Sequence, residues 1–202
     1  MIAALACLAL STPIEPAPAL ELPVYEPAAA APAPLIGGET PFSWTYGELN
    51  YLWRDVDAID DSIDGFELRA SFEILLNLFL QGSYSQLSGD ADLDSYTLGV
   101  GWHLPIGTKL DAFGILSYAK DEIDGSGFDD DVDGPMGEVG ARFMLGEKIE
   151  LNGEIIWANL DDSETGFDVG GRFYFMNNLS VGANVTKFDE DEMFAVGARF
   201  QF

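Results

Sequence analysis

Every second residue is apolar across the last ten positions of the chain. Phe194, Val196, Ala198, Phe200 and Phe202 share one face, while Met193, Ala195, Gly197, Arg199 and Gln201 share the other. Successive side chains of a β-strand point to opposite faces, so this period of two demands a strand with one greasy and one polar side. The same pattern runs upstream. Residues 139–143 read Val-Gly-Ala-Arg-Phe, residues 169–173 read Val-Gly-Gly-Arg-Phe, and residues 196–200 repeat the first of these. Weaker copies cover Leu98 to Trp102 and Leu68 to Phe72.

The second residues of these copies are spaced by 30, 41, 30 and 27 positions. That is about the length of a two-strand hairpin with its connections, not of a helical repeat. Partner strands are read over 42–54, 78–88, 109–120, 149–160 and 179–188. The total is ten strands, with eight as the fallback count. Each is near the roughly 9–11 residues that a tilted strand needs to cross a bilayer. In lipid, only a closed barrel satisfies every backbone N–H and C=O of such strands. The sequence therefore predicts an all-β fold: a single closed, antiparallel, up-and-down transmembrane barrel.

The greasy face carries the right furniture for lipid. Aromatic residues fall six apart at Phe66 and Phe72, Tyr96 and Trp102, Phe167 and Phe173, and Phe194 and Phe200. At about 3.3 Å per residue, six residues span about 20 Å of strand, which suits two girdles bordering an apolar band about 25 Å tall. Between them lie uncharged residues such as Leu68, Leu98, Val100, Val169 and Val196. A soluble sandwich or lipocalin-like barrel is the competing fold, with the same faces packed as core. It would need a polar outer face on every strand.

The other face carries Glu67, Arg69, Glu73, Asp111, Glu138, Arg142, Glu150, Glu154, Asp168, Arg172 and Arg199, and Arg54 shares that parity. Arg or Lys on the lipid face near the midplane costs roughly 2–4 kcal/mol, so these groups are expected in the lumen. Unpaired charge there is expensive, which predicts a hydrogen-bonded ion-pair network. Ten strands leave an interior only slightly wider than the one eight strands fill with side chains. The arginines are expected to act as plugs and struts; a narrow path for ions or small solutes is the alternative.

Net charge is −26, and 22 of the 35 acidic residues fall in five connections at 55–64, 90–94, 121–133, 161–164 and 189–192. The alternate connections, near 75–77, 104–109, 145–148 and 176–178, are short and nearly neutral. Long connections at one end and tight turns at the other follow the outer-membrane pattern, with the long ones outside the cell. An even strand number then leaves both termini in the periplasm.

With these features the chain resembles the small, porin-like outer-membrane β-barrel proteins of Gram-negative bacteria. Their last strand ends on an aromatic, with a hydrophobic residue two before it and a glycine five before it; Phe202, Phe200 and Gly197 stand at those positions. Ala195 stands where the family usually has a polar residue. The resemblance implies that the barrel-insertion machinery reads this strand, and it covers about 42–202. It names no activity. Some small barrels of this kind are proteases or acyltransferases, built around a histidine near the outer end. The single histidine here, His103, lies beside Trp102 at the turn end and reads as structural and interfacial.

The first residues, Met1 to Leu10, are apolar and are followed by small and polar ones. Residues 1–11 are read as a secretory signal peptide, without the usual positive start. Cys7 is the lone cysteine and is removed with it. Residues 12–41 hold eight of the ten prolines, mixed with alanine. Such a segment favours extended polyproline II and cannot build a core, so it is read as a disordered periplasmic linker before a barrel at 42–202.

Several function classes drop out. The charge sign excludes nucleic acid as a partner. No nucleophile motif or phosphate-cradling glycine loop is present, a zinc cluster lacks ligands, and no cofactor is expected. The run Asp129, Asp130, Asp131 and Asp133 is a weak Ca²⁺ candidate, because hard cations take several carboxylate oxygens, but it departs from the EF-hand spacing. Lys120 and Lys187 lie at the acidic end on the lipid-facing parity, where long side chains reach the headgroup layer. They are candidate contacts to lipopolysaccharide phosphates, alongside outer-membrane lipid itself. The sequence reads as a non-enzymatic outer-membrane barrel serving envelope structure or surface interaction.

Overall fold

The computed structural model describes residues 42–56, 61–75, 77–89, 91–125, 128–160, 163–188 and 191–202. The signal-peptide and linker readings fall outside these residues. Ten strands follow one another: β1 Tyr46–Val56, β2 Asp61–Leu75, β3 Leu78–Ser88, β4 Ala91–Ile106, β5 Leu110–Gly125, β6 Phe128–Leu145, β7 Ile149–Asn159, β8 Ser163–Met176, β9 Leu179–Lys187 and β10 Asp191–Gln201. Each pairs antiparallel with its sequence neighbours, and β1 pairs with β10 to close the barrel. Closure leaves no sheet edge within the wall, as lipid requires.

The tight turns sit at one rim. Asn77, Gly107 and Gly146 adopt positive φ there (69°, 72° and 77°), a conformation open to glycine and tolerated by asparagine. Small register shifts interrupt the ladders at Glu73/Leu75 and Tyr174/Met176, next to that rim.

Polarity is inverted relative to a soluble protein. Leu116 is 77% exposed and Leu98 68%, and the girdle aromatics Phe66, Phe72, Tyr96, Trp102, Phe167, Phe173, Phe194 and Phe200 all face outward. Glu150 and Asp111, by contrast, are 1% and 0% exposed. A water-soluble sandwich buries its phenylalanines and solvates its carboxylates, so that reading fails on the same residues.

Strand boundaries differ from the sequence reading, above all at β1 and in the acidic connections, where β2 begins at Asp61, β4 at Ala91 and β10 at Asp191. The first strand begins at Tyr46 rather than 42, because Phe42 and Trp44 are buried at the mouth of the barrel. The acidic stretch 121–133 is strand more than loop: Asp121 pairs with Val132, Glu122 with Asp131, and the ladder runs to Gly125 and Phe128. Hairpins beyond the membrane have no greasy face to maintain, so apolar alternation stops where pairing does not.

Glycine makes room where the lumen is tightest. A Cβ on Gly101 would lie 2.1 Å from the Phe79 ring, so the ring fills the space the missing side chain leaves.

Candidate functional site

The lumen is built in three layers. At the short-turn end, Trp44, Phe79, Phe113 and Ile115 form one buried cluster, and Phe42, Met144 and Tyr174 form another. Trp44 stacks on Phe79 at 4.3 Å and on His103 at 5.1 Å between ring centroids. Its indole Nε1–H donates to Asp111 at 3.0 Å, and His103 Nδ1 lies 3.0 Å from the same carboxylate. At the long-hairpin end Leu52, Ile63, Leu87 and Leu93 pack together, with Ile123, Met193 and Ala195 against them.

Charge fills the space between. Arg142 and Glu150 meet through two parallel hydrogen bonds, Nε at 2.8 Å and Nη2 at 3.0 Å. Tyr174 donates its hydroxyl to the same glutamate. Arg199 donates to Glu48 at 2.7 Å and Arg172 donates to its other oxygen at 2.5 Å. Arg199 also approaches Glu150 at 3.7 Å, which links the two groups. The guanidinium of Arg142 lies over the Phe42 and Trp44 rings, and that of Arg199 over the Tyr46 ring at 4.1 Å. The network thus ties β1, β6, β7, β8 and β10 across the interior.

A second constellation lies beside it. Glu67 accepts from Arg69 at 2.9 Å and from Asn50 at 2.7 Å. Asp168 accepts from Asn152, Asn184 and Thr186 at 3.0, 2.6 and 2.8 Å. Glu138 and Glu154 line the same polar cavity, of about 70 Å³. By volume it holds on the order of five waters.

Of the expected lumen set, Arg142, Glu150, Arg172 and Arg199 join the first group, and Glu67, Arg69, Glu138, Glu154 and Asp168 the second. Glu73 does neither. It keeps the inward parity, opposite Phe79, but sits half-exposed at the short-turn mouth, 3.6 Å from His103 Nε2. His103 corrects the sequence reading as well. It is buried inside the barrel rather than at the lipid interface, since its parity opposes that of Trp102. Arg54 pairs with Asp191 at the long-hairpin rim.

Sequence reasoning missed Glu48, Asn50 and Trp44. Glu48 and Asn50 share the inward parity of Arg54 on β1, opposite Leu49, Tyr51 and Trp53, so that alternation was the signal; Trp44 lies ahead of the strand. Gly197 faces inward, where a Cβ would lie 1.8 Å from the Asn50 amide oxygen; Phe200 and Phe202 face outward. Lys120 pairs with Glu122 and, at 3.3 Å, with Asp131, while Lys187 lies 3.6 Å from Glu192. Asp133 accepts from Tyr118. Among the described residues no three His, Cys, Asp or Glu converge on a metal position. The side chains of Asp129 and Asp130 lie outside the described residues.

Such a lumen ties strands to one another across the interior. The sequence matches the family model of the outer membrane protein beta-barrel domain over residues 3–202. The chain belongs to that family. It is therefore an outer-membrane β-barrel protein, porin-like in architecture. Among solved structures, the NanC porin shares the fold with a TM-score of 0.52 at 6% identity, covering 77% of this chain and 100% of that one. The KdgM porin aligns with a TM-score of 0.45 at 11% identity over 77% of this chain and 99% of that one. Ail of Yersinia pestis aligns at 0.39 and 17% identity, over 78% and 100%. No curated protein matches the sequence.

Proposed function

We propose that this protein is a non-catalytic component of the outer membrane, serving envelope structure or surface interaction through its acidic hairpins. The observation that supports this reading is the stoppered lumen. Trp44, Phe79 and Phe113 fill one end and Leu52, Ile63, Leu87 and Leu93 the other, with salt-bridged arginines between. Ions need a continuous wet path, and apolar layers at both ends oppose one.

The acidic rim faces outside the cell on this reading. Phe202 donates its backbone N–H to Thr45 at the tight-turn rim, which would then face the periplasm. Residues 1–11 would serve as the export signal and 12–41 as a periplasmic spacer. Gly197, Phe200 and Phe202 would present the final strand to the barrel-insertion machinery. Lys120 and Lys187 would reach lipopolysaccharide phosphates by exchanging Glu122, Asp131 and Glu192 for them.

The second reading, a narrow passive channel, draws on the charged mid-lumen cavity. Planar-bilayer recording on the pure protein separates the two. The structural reading expects a silent membrane, and reproducible single-channel steps would replace it with the channel.

A further inference from the structure

The ladder between β5 and β6 continues out to Gly125 and Phe128, but β6 meets β7 only from Met136, opposite Ala158, inward. Among the described residues, Phe128–Asp133 are therefore paired on one side alone, while the Asn159–Leu160 backbone lies against Gly134. The sequence explains the parting. Pro135 has no N–H to give a ladder. At Gly134 the Asn159 carbonyl oxygen presses so close that a Cβ would lie 2.0 Å from it, and β7 ends there. Six residues at about 3.3 Å each leave roughly 20 Å of strand edge beyond the girdle marked by Tyr118, which pairs with Pro135.

An open edge is a template for another strand, and natural proteins blunt it with charge. Here the charge has one sign. Asp131 and Asp133 are exposed on β6, Asp121, Glu122 and Asp124 stand on the adjoining part of β5, and Lys120 is the one base between positions 119 and 135. Pairing with a second copy of this edge would set aspartates against aspartates, which is unfavourable. An extended segment carrying Lys or Arg meets both demands at once: backbone groups for the edge, cations for the carboxylates.

We infer that the outer edge of β6, Phe128–Asp133, docks an extended basic polypeptide segment of another protein by strand addition. The inference rests on the surface-interaction reading and specifies its partner.

The test uses the full chain refolded in dodecyl maltoside micelles. A labelled peptide of alternating lysine and valine is titrated by fluorescence anisotropy, beside a twin methylated on alternate backbone nitrogens and an acidic glutamate–valine peptide. Amide exchange is followed at residues 131–133. The expected result is binding of the plain basic peptide about tenfold tighter than its methylated twin, since each lost hydrogen bond weakens a strand. Exchange at the β6 edge should slow, and the acidic peptide should not bind. Equal affinity for both basic peptides would mean charge attraction alone; it overturns the edge proposal and leaves the acidic-surface reading standing. No binding of either removes both. Concentration-dependent dimers that protect the edge without peptide would assign it to a second copy and overturn the proposal too.

Discussion

Glu48 on β1 and Arg199 on β10 meet at 2.7 Å across the seam that closes the barrel. The same carboxylate holds Arg172 of β8 with its other oxygen, and all three side chains are buried. One acid thus bridges two buried cations, and the stability of the wall leans on it.

Removing that acid should therefore be severe. Breaking a buried pair by deleting one partner costs about 3–5 kcal/mol, because the remaining charge has no water to turn to. Glu48→Ala is expected to lower the urea midpoint of the refolded barrel by that order, and Glu48→Gln by less. An unfolding curve unchanged in Glu48→Ala would show that the network carries no such load.

Crowding at Gly101 gives a second expectation. Gly101→Ala drives a methyl into the Phe79 ring, and overpacking of this kind costs about 1–3 kcal/mol. The double variant Gly101→Ala with Phe79→Leu should recover much of the loss. Equal instability of single and double variants, read by the heat needed to convert the compact gel form to the unfolded one, would contradict this account.

Lipid contact is checked on one strand. Val100 faces outward between Tyr96 and Trp102. Val100→Arg should destabilise by roughly 2–4 kcal/mol in bilayers, as an arginine near the midplane does. Asp92→Arg, beyond the girdle on the same face, should change stability little. Comparable effects at the two positions would place the membrane elsewhere on the wall.

The two stoppers predict how a pore could be made. Trp44→Ala opens only the short-turn end and should stay electrically silent while costing about 3–5 kcal/mol. Pairing it with Leu52→Ala thins the long-hairpin cluster as well, and only that double variant should show current steps. Current through the single variant would mean that Leu52, Ile63, Leu87 and Leu93 do not seal their end.

Alternation alone determined the strands and their faces. A side chain that alternates between hydrocarbon and lumen has no third choice, so Arg142, Arg172 and Arg199 could be placed inward, and Val100 and Leu116 outward, before any coordinates. It failed where one face no longer differs from the other. Trp44 lies ahead of β1, outside any alternating run, and past the girdle both sides meet water, which hid the extension of β5 and β6. Partner choice was beyond it everywhere. Whether Glu150 bonds Arg142 while Asp168 accepts from Asn152, Asn184 and Thr186 depends on register, tilt and closure, which bring strands distant in the chain within bonding reach. Those are properties of the closed cylinder, and no single strand contains them.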